Sequence, residues 1–246
     1  MSNLLPDEVL RRRNLPKKPA PVTLTGNLVE LRPLDLDADT DALHAVSSGA
    51  PCRLGARHVD AYDPDERVWR YMSGGPFHDW LALRNWLASQ VAAHDGLPLV
   101  VRMDGSPVGV ACFIANYPEH LKTELGSIWY GPIAQGTGAS AEATYLMLDH
   151  AFKLGYRRIE WKCDANNQPS RKAASAYGFT FEGIQEAHYI IKDRNRDTAW
   201  FRMLDREWAT VGPKLAAYAR ARTLAATGAV GGDGGEAGDD GATATM

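Results

Sequence analysis

No two cysteines in this chain are spaced to hold a metal or to exchange a disulfide. Cys52, Cys112 and Cys163 are odd in number, far apart and outside any Cys-x-x-Cys. That argues against a disulfide framework and for a reduced, cytoplasmic protein with no metal site. No apolar run approaches the ~18 residues of a membrane-spanning helix. The stretch from Met1 to Pro21 carries Arg11-Arg12-Arg13 and Lys17-Lys18 but lacks the apolar segment of a signal peptide. Charge of one sign is also missing: 27 Lys and Arg face 30 Asp and Glu, for a formal net charge of -3. That is no nucleic-acid footprint, and no internal repeat is visible. These absences leave an ordinary globular protein, with neither nucleic acid nor membrane as an expected partner and with a monomer or homodimer equally open.

What is present divides the 246 residues unevenly. Residues 1–23 read as a basic N-terminal arm ending in a Pro-rich linker, and residues 24–208 as one domain. Residues 209–224 read as a C-terminal helix. Residues 225–246 are rich in Gly, Ala, Asp and Thr with almost nothing to bury, and read as a disordered tail. Within the domain, Leu28 to Leu31 alternates as a strand. Asp35 to Val46 reads as a helix with acidic residues in its first turn. Phe77 to Ala93 reads as a helix with Trp80, Leu83, Trp86 and Leu87 on one face. Pro98–Met103 and Val108–Ile114 read as a hairpin turning at Asp104-Gly105. Ser47 to Asp65 fits no pattern. The order is that of one mixed-sheet α/β domain.

The most informative segment follows the apolar run Leu125-Gly126-Ser127-Ile128-Trp129-Tyr130. Gln135-Gly136-Thr137-Gly138-Ala139-Ser140 opens a helical pattern in which Tyr145, Leu146, Leu148, Ala151, Phe152 and Leu154 recur. A strand therefore runs through a glycine turn into a helix. The first N–H groups of a helix lack internal partners and sit at its positive end, so such a turn can cradle a diphosphate. No Lys-Ser/Thr follows, which excludes a Walker loop and argues against a nucleotide kinase. A further strand, Arg158 to Cys163, leads into Asn167-Gln168-Pro169-Ser170, a helix through Ala176, and Tyr177-Gly178-Phe179.

These pieces, in this order, resemble the GNAT acetyltransferase superfamily. The signature Gln135-x-x-Gly138-x-Ser140 and the pair Asn167-x-x-Ser170 and Gly178-Phe179 carry the resemblance. Glu182-Gly183, His188, Arg196-Asp197 and the closing strand Phe201–Leu204 bring it nearer to the ribosomal-protein N-terminal acetyltransferase type. The acetyltransferase domain of microcin C self-immunity proteins is similar too. The resemblance implies a mixed, mostly antiparallel sheet with flanking helices and a splayed central strand. It also implies an acetyl-CoA-dependent N-acetyltransferase acting directly on a primary amine, either a protein N-terminus or a small aminoacyl or amine metabolite.

The resemblance places the CoA diphosphate on the backbone of Gln135, Gly136, Thr137, Gly138, Ala139 and Ser140. The pantetheine would lie along Ile128, Trp129 and Tyr130, like an added strand, with Asn167 bonding to it. Many members carry a Tyr four residues before Gly-Phe; this chain has Ala174 there. Ser170 then becomes the group that returns a proton to the thiolate, although it also suits a helix cap. Glu124 is the candidate base, or else an exposed charge at a strand end. Glu142 reads as an acid complementing a helix dipole. His188 and Asp197 lie where the amine would approach. Trp69, Tyr71, Phe77, Trp80, Trp129 and Tyr130 are expected around the acceptor groove, with Trp80 the aromatic assigned to substrate. Cys112 and Cys163 read as core filler. A non-catalytic acyl-CoA-binding module is the competing reading, and the missing Tyr is its main support.

Overall fold

Short apolar runs that alternate with polar residues pair edge to edge. In a computed structural model, which describes residues 4–230, ten such runs form two sheets. In chain order the elements begin with α1 (Asp7–Arg11), β1 (Leu24–Thr25), β2 (Val29–Pro33), α2 (Leu36–Ala45), β3 (Cys52–Leu54) and β4 (Arg57–Val59). Next come α3 (Trp80–Ala92), β5 (Leu97–Met103), β6 (Ser106–Tyr117), β7 (Lys122–Tyr130) and α4 (Ala139–Leu154). The chain continues through β8 (Arg158–Asp164), α5 (Gln168–Ala176), β9 (Thr180–Ile191), β10 (Arg194–Leu204) and α6 (Asp205–Val230). The large sheet runs β1-β2-β5-β6-β7-β8-β10-β9, while β3 and β4 form a small hairpin. β7 and β8 are its one parallel pair. This is a mixed α/β fold with a mostly antiparallel sheet.

Local chemistry sets most boundaries. Asp35 caps α2, accepting from the N–H groups of Asp37 and Ala38, and Asp79 caps α3 through Ala82. Each such cap is worth about 1 kcal/mol. Asp104 and Gly105 both have positive φ, 46° and 75°, as the tight turn between β5 and β6 requires. The unassigned stretch after Ser47 holds the β3–β4 hairpin and a π-helical turn at Asp65–Trp69. α3 begins at Trp80, three residues later than its pattern suggested, because Asp79 takes the capping position.

The feature that positions the site is a divergence. β7 and β8 pair from Lys122↔Arg158 to Leu125↔Trp161 and no further. Ser127, at φ 50°, interrupts the β6–β7 ladder between Cys112↔Gly126 and Val110↔Trp129. A bulge of this kind bends its strand, and the end of β7 swings away from β8. On one side of the sheet, α4 buries Ala139, Ala141, Ala143, Met147, Leu148 and Ala151. On the other, Trp69 packs on Trp129, Phe77 and Trp86 at centroid distances of 4.8, 5.0 and 5.7 Å.

Two expectations change here. The C-terminal helix starts at Asp205 and continues to Val230, past the anticipated end at Leu224. It packs onto the main body through Leu215 and Ala219, both buried, and through Trp208 against Tyr145 and Phe152. The remainder of the anticipated tail lies outside the described residues. Glu142 does more than complement a dipole: its carboxylate accepts from the N–H groups of Asn27, Leu28 and Val29 at 2.9, 2.7 and 2.8 Å. It ties the start of β2 to α4.

Candidate active site

Two cavities open where β7 leaves β8. The first, about 510 Å³, holds Glu124, Ser127 and Ile128 of β7, Lys162 and Cys163 of β8, and Asn167, Ser170 and Arg196. The second, about 430 Å³, lies over the glycine loop, between Gly136, Gly138 and Ser140 on one wall and Gln168 and Lys172 of α5 on the other. Tyr218 and Arg222 of α6 complete it. α5 thus contributes to both.

The glycine loop is held rigidly by its own side chains. Gln135 donates to the carbonyls of Arg67 and Tyr130. Thr137 donates to the Ala134 carbonyl at 2.7 Å and accepts from the Ala139 N–H at 3.1 Å, which fixes the turn leading into α4, whose N-cap is Gly138. Ala139 itself is fully buried. The two glycines differ. At Gly136, with φ 74°, an added Cβ would meet nothing within 4 Å, so this backbone faces open space. At Gly138, with φ 92°, a Cβ would come within 2.9 Å of Thr223 Oγ1 and 3.1 Å of the Ala219 carbonyl. Gly138 is therefore small because α6 crosses it. Ser140 Oγ and the Tyr177 hydroxyl share a hydrogen bond of 2.7 Å. Tyr130 lines this second cavity, and Ile128 the first. The Trp129 side chain points into the aromatic cluster and is fully buried.

In the first cavity, Asn167 rather than Ser170 caps α5, accepting the Ser170 N–H at 3.1 Å. Ser170 is free of that task. Its Oγ accepts from Trp161 Nε1 at 3.1 Å, which leaves its own O–H to donate. The Cys163 thiol neighbours that hydroxyl and is pushed above its ordinary pKa by burial; it is a cavity-lining residue as well as a buried one. Cys112 is pushed up to about 12 by burial. Neither thiol is poised as a thiolate nucleophile.

Glu124 is no exposed strand-end charge. It is 6 % exposed, and Gly126 makes room for it: a Cβ there would come within 3.0 Å of Glu124 Oε1. Burial raises its pKa above the usual carboxylate range, and Lys162, with Nζ 2.7 Å from Oε2, works against that rise. Lys162 also sits 4.0 Å from the centroid of the Trp200 ring. The register Glu124↔Glu160 puts Lys162 two residues further along the same face of β8. Reading alternation across a parallel pair would have found it, but a single strand does not show it.

Three residues expected to bind the substrate lie outside the lining of the first cavity. Trp80 is 48 % exposed at the start of α3 and does not line the cavity, because its helix buries Leu83 and Leu87 instead. His188 stacks on Tyr189 at 3.8 Å and lies near Trp200, outside the cavity lining; burial, with Lys162 and Arg196 nearby, lowers its pKa. Asp197 turns into a bulge between β9 and β10, where it accepts from the Ala187 N–H at 2.8 Å and from Asn195 at 2.9 Å. That bulge exchanges the expected facing, and Arg196 reaches the cavity in its place. Of the expected aromatics only Tyr71 lines the first cavity, joined by Tyr117, Trp161 and Tyr189. Among the described residues no cluster of side chains could hold a metal ion, and no helix is long and apolar enough to cross a membrane.

The fold recurs in known proteins. The uncharacterized N-acetyltransferase p20 of Bacillus licheniformis is 28 % identical over 154 residues, covering 60 % of this chain and 86 % of that protein. A GCN5-related N-acetyltransferase from Brucella melitensis superposes with a TM-score of 0.74 at 34 % identity, covering 83 % of this chain and 87 % of that one. An acetyltransferase from Salmonella typhimurium, which modifies the N-terminal serine of the 50S ribosomal subunit protein L7/L12, shares the fold at 18 % identity. Its TM-score is 0.62, with 74 % of this chain and 99 % of that one covered. The acetyltransferase (GNAT) domain model matches residues 29–180, from the second strand through the splay and glycine loop to the Gly-Phe pair. With more than half of its length matched on the elements that build both cavities, the chain is an acyltransferase and belongs to the GNAT family.

Proposed function

We propose that the chain transfers an acetyl group from acetyl-CoA directly to a primary amine. One observation carries this reading: Glu124, buried with a raised pKa, and Ser170, whose Oγ accepts from Trp161 and whose O–H lies beside the Cys163 thiol, line a single cavity at the point where β7 leaves β8. That is the pair of groups that direct transfer needs, one to accept the amine proton and one to supply a proton to the departing sulfur.

The residues divide the work. The open backbone at Gly136 and the positive end of α4 receive the diphosphate, with Lys172 and Arg222 adding positive charge around it. The unpaired end of β7 at Ile128 offers strand-like hydrogen bonds to an amide-bearing arm. Glu124, directly or through one water, takes a proton from the ammonium form of the acceptor. The amine nitrogen then bonds to the acetyl carbon, the carbon–sulfur bond breaks, and Ser170 donates to the sulfur. The second proton that leaves the nitrogen as the amide forms passes through water to restore the Ser170 hydroxyl, Glu124 releases its proton to solvent, and the amide keeps the acetyl group. Holding both reactants in one cavity supplies several kcal/mol of the barrier reduction.

The run from Asn167 to Asp197 supports a place near the ribosomal-protein N-terminal type, so the acceptor classes are a protein N-terminus and a small aminoacyl or amine metabolite. The test is thiol release from acetyl-CoA across peptides, amino acids, polyamines and aminoacyl adenylates, with product masses. An N-acetyl product is expected. Tight acetyl-CoA binding with no acceptor consumed would favour a non-catalytic acyl-CoA-binding module.

A further inference from the structure

We propose that the acceptor carries an oxyanion as well as its amine, and that Arg196 binds that oxyanion. This rests on the amine-acetylation reading above and names the substrate class for the same cavity. The argument comes from the charges on one face of the sheet. Lys162 pairs with Glu124 at 2.7 Å, and Lys122 and Arg158 pair with Glu160 at 3.2 and 2.8 Å. Arg158 also pairs with Glu182, and Arg202 with Glu207, each at 2.5 Å. Arg196 lines the cavity beside them and forms no ion pair among the described residues. Its Nε is buried without a hydrogen-bond partner.

A guanidinium is always charged and presents its donors as a planar fork. Burying one of those donors unpaired is costly unless something else satisfies it. The carboxylates of the cavity are engaged elsewhere. Glu124 is held by Lys162, and Asp164 accepts the Asn166 N–H at 2.8 Å. The guanidinium is meanwhile oriented by the Tyr189 ring, 5.7 Å from its carbon to the ring centroid. The anion that completes Arg196 therefore comes from the ligand. A carboxylate or a phosphate fits the fork in the same bidentate way. Glu124 would face the amine of such an acceptor and Arg196 its acid.

The experiment measures thiol release from acetyl-CoA with matched acceptors: alanine against alaninamide, and O-phosphoethanolamine against ethanolamine. A serine-initiated peptide amide is the fifth arm. The expected result is kcat/KM on the order of tenfold to a hundredfold higher for an acid than for its neutral partner. The pair that shows the ratio identifies carboxylate or phosphate as the source. Arg196→Gln should erase the ratio by raising KM for the acid far more than for the neutral amine; any change in kcat from losing a positive charge near Glu124 should be shared by both. Arg196→Lys, which keeps charge but loses the fork, should fall between them, and both variants should keep the wild-type melting profile. Equal rates for acids and neutral partners, preference for the peptide amide, or an acid-to-neutral ratio that survives Arg196→Gln would overturn the proposal. Turnover with none of the five, while acetyl-CoA binds, would overturn the amine-acetylation reading together with it.

Discussion

The two cavities are built in opposite ways. The glycine-loop cleft comes largely from two continuous stretches, Tyr130 to Ala141 and the length of α5 with its C-cap, Gln168 to Tyr177, joined by Tyr218 and Arg222 of α6. The cavity that holds Glu124 draws on Tyr71, Gln90, Ile114, Glu124, Lys162, Tyr189 and Arg196, which lie on seven separate segments. The first needs backbone N–H groups and little else, so a short motif can encode it. The second needs side chains of particular charge at particular places, and these converge only after the sheet is assembled.

The sharpest way to break this comparison is to disable one cavity and leave the other. Gly136→Asp places a negative side chain where the backbone is open and should weaken acetyl-CoA binding at least a hundredfold by calorimetric titration. The left-handed backbone there adds a stability cost of about 1 kcal/mol. Gly138→Asp should instead displace α6 and lower the melting temperature, because its Cβ meets Thr223. Unchanged acetyl-CoA affinity in a folded Gly136→Asp protein would remove the diphosphate from this loop.

Ser170→Ala should lower kcat by about 10²–10⁴-fold with little change in acetyl-CoA affinity. Since Asn167 does the capping, the helix should survive, and full turnover would leave Ser170 as no more than a partner for Trp161. Glu124→Gln should slow the reaction by about 10²-fold at neutral pH and recover partly at higher pH, where more acceptor is already neutral. The wild-type acid limb should lie above the ordinary carboxylate range, since burial raises the Glu124 pKa and the base works only when ionised. Lys162→Met should shift that limb further up, because it removes the opposing charge. It should also cost about 3–5 kcal/mol in denaturant melts, as an unpaired buried carboxylate does. A limb unmoved in Lys162→Met would dissociate Glu124 from the rate.

Smaller effects test the frame. Glu142→Ala strands three N–H groups at the start of β2 and should cost about 1–3 kcal/mol while sparing kcat. Trp80→Ala should change neither kinetics nor stability by more than about 0.5 kcal/mol, since the ring is half exposed outside both cavities.

Amino-acid order by itself determined the course of the chain wherever one period or one turn residue dominates. The Asp104-Gly105 hairpin, the strand–glycine–helix run through Gly136, and the Asn167-x-x-Ser170 helix all follow from local backbone preferences that no distant contact overrides. Glu124 and Ser170 could be singled out because each is tied to such a run, and the fold puts both on one cavity. Tertiary structure decided the rest. Whether Glu142 serves a dipole or clamps β2 depends on where Asn27 to Val29 arrive. The need for glycine at position 138 comes from α6, more than eighty residues later in the chain. The bulge that turns Asp197 inward and delivers Arg196 to the cavity depends on how β10 pairs with β9. Strand register decides which face a side chain takes, a one-residue slip reverses that face, and register is a property of two strands together.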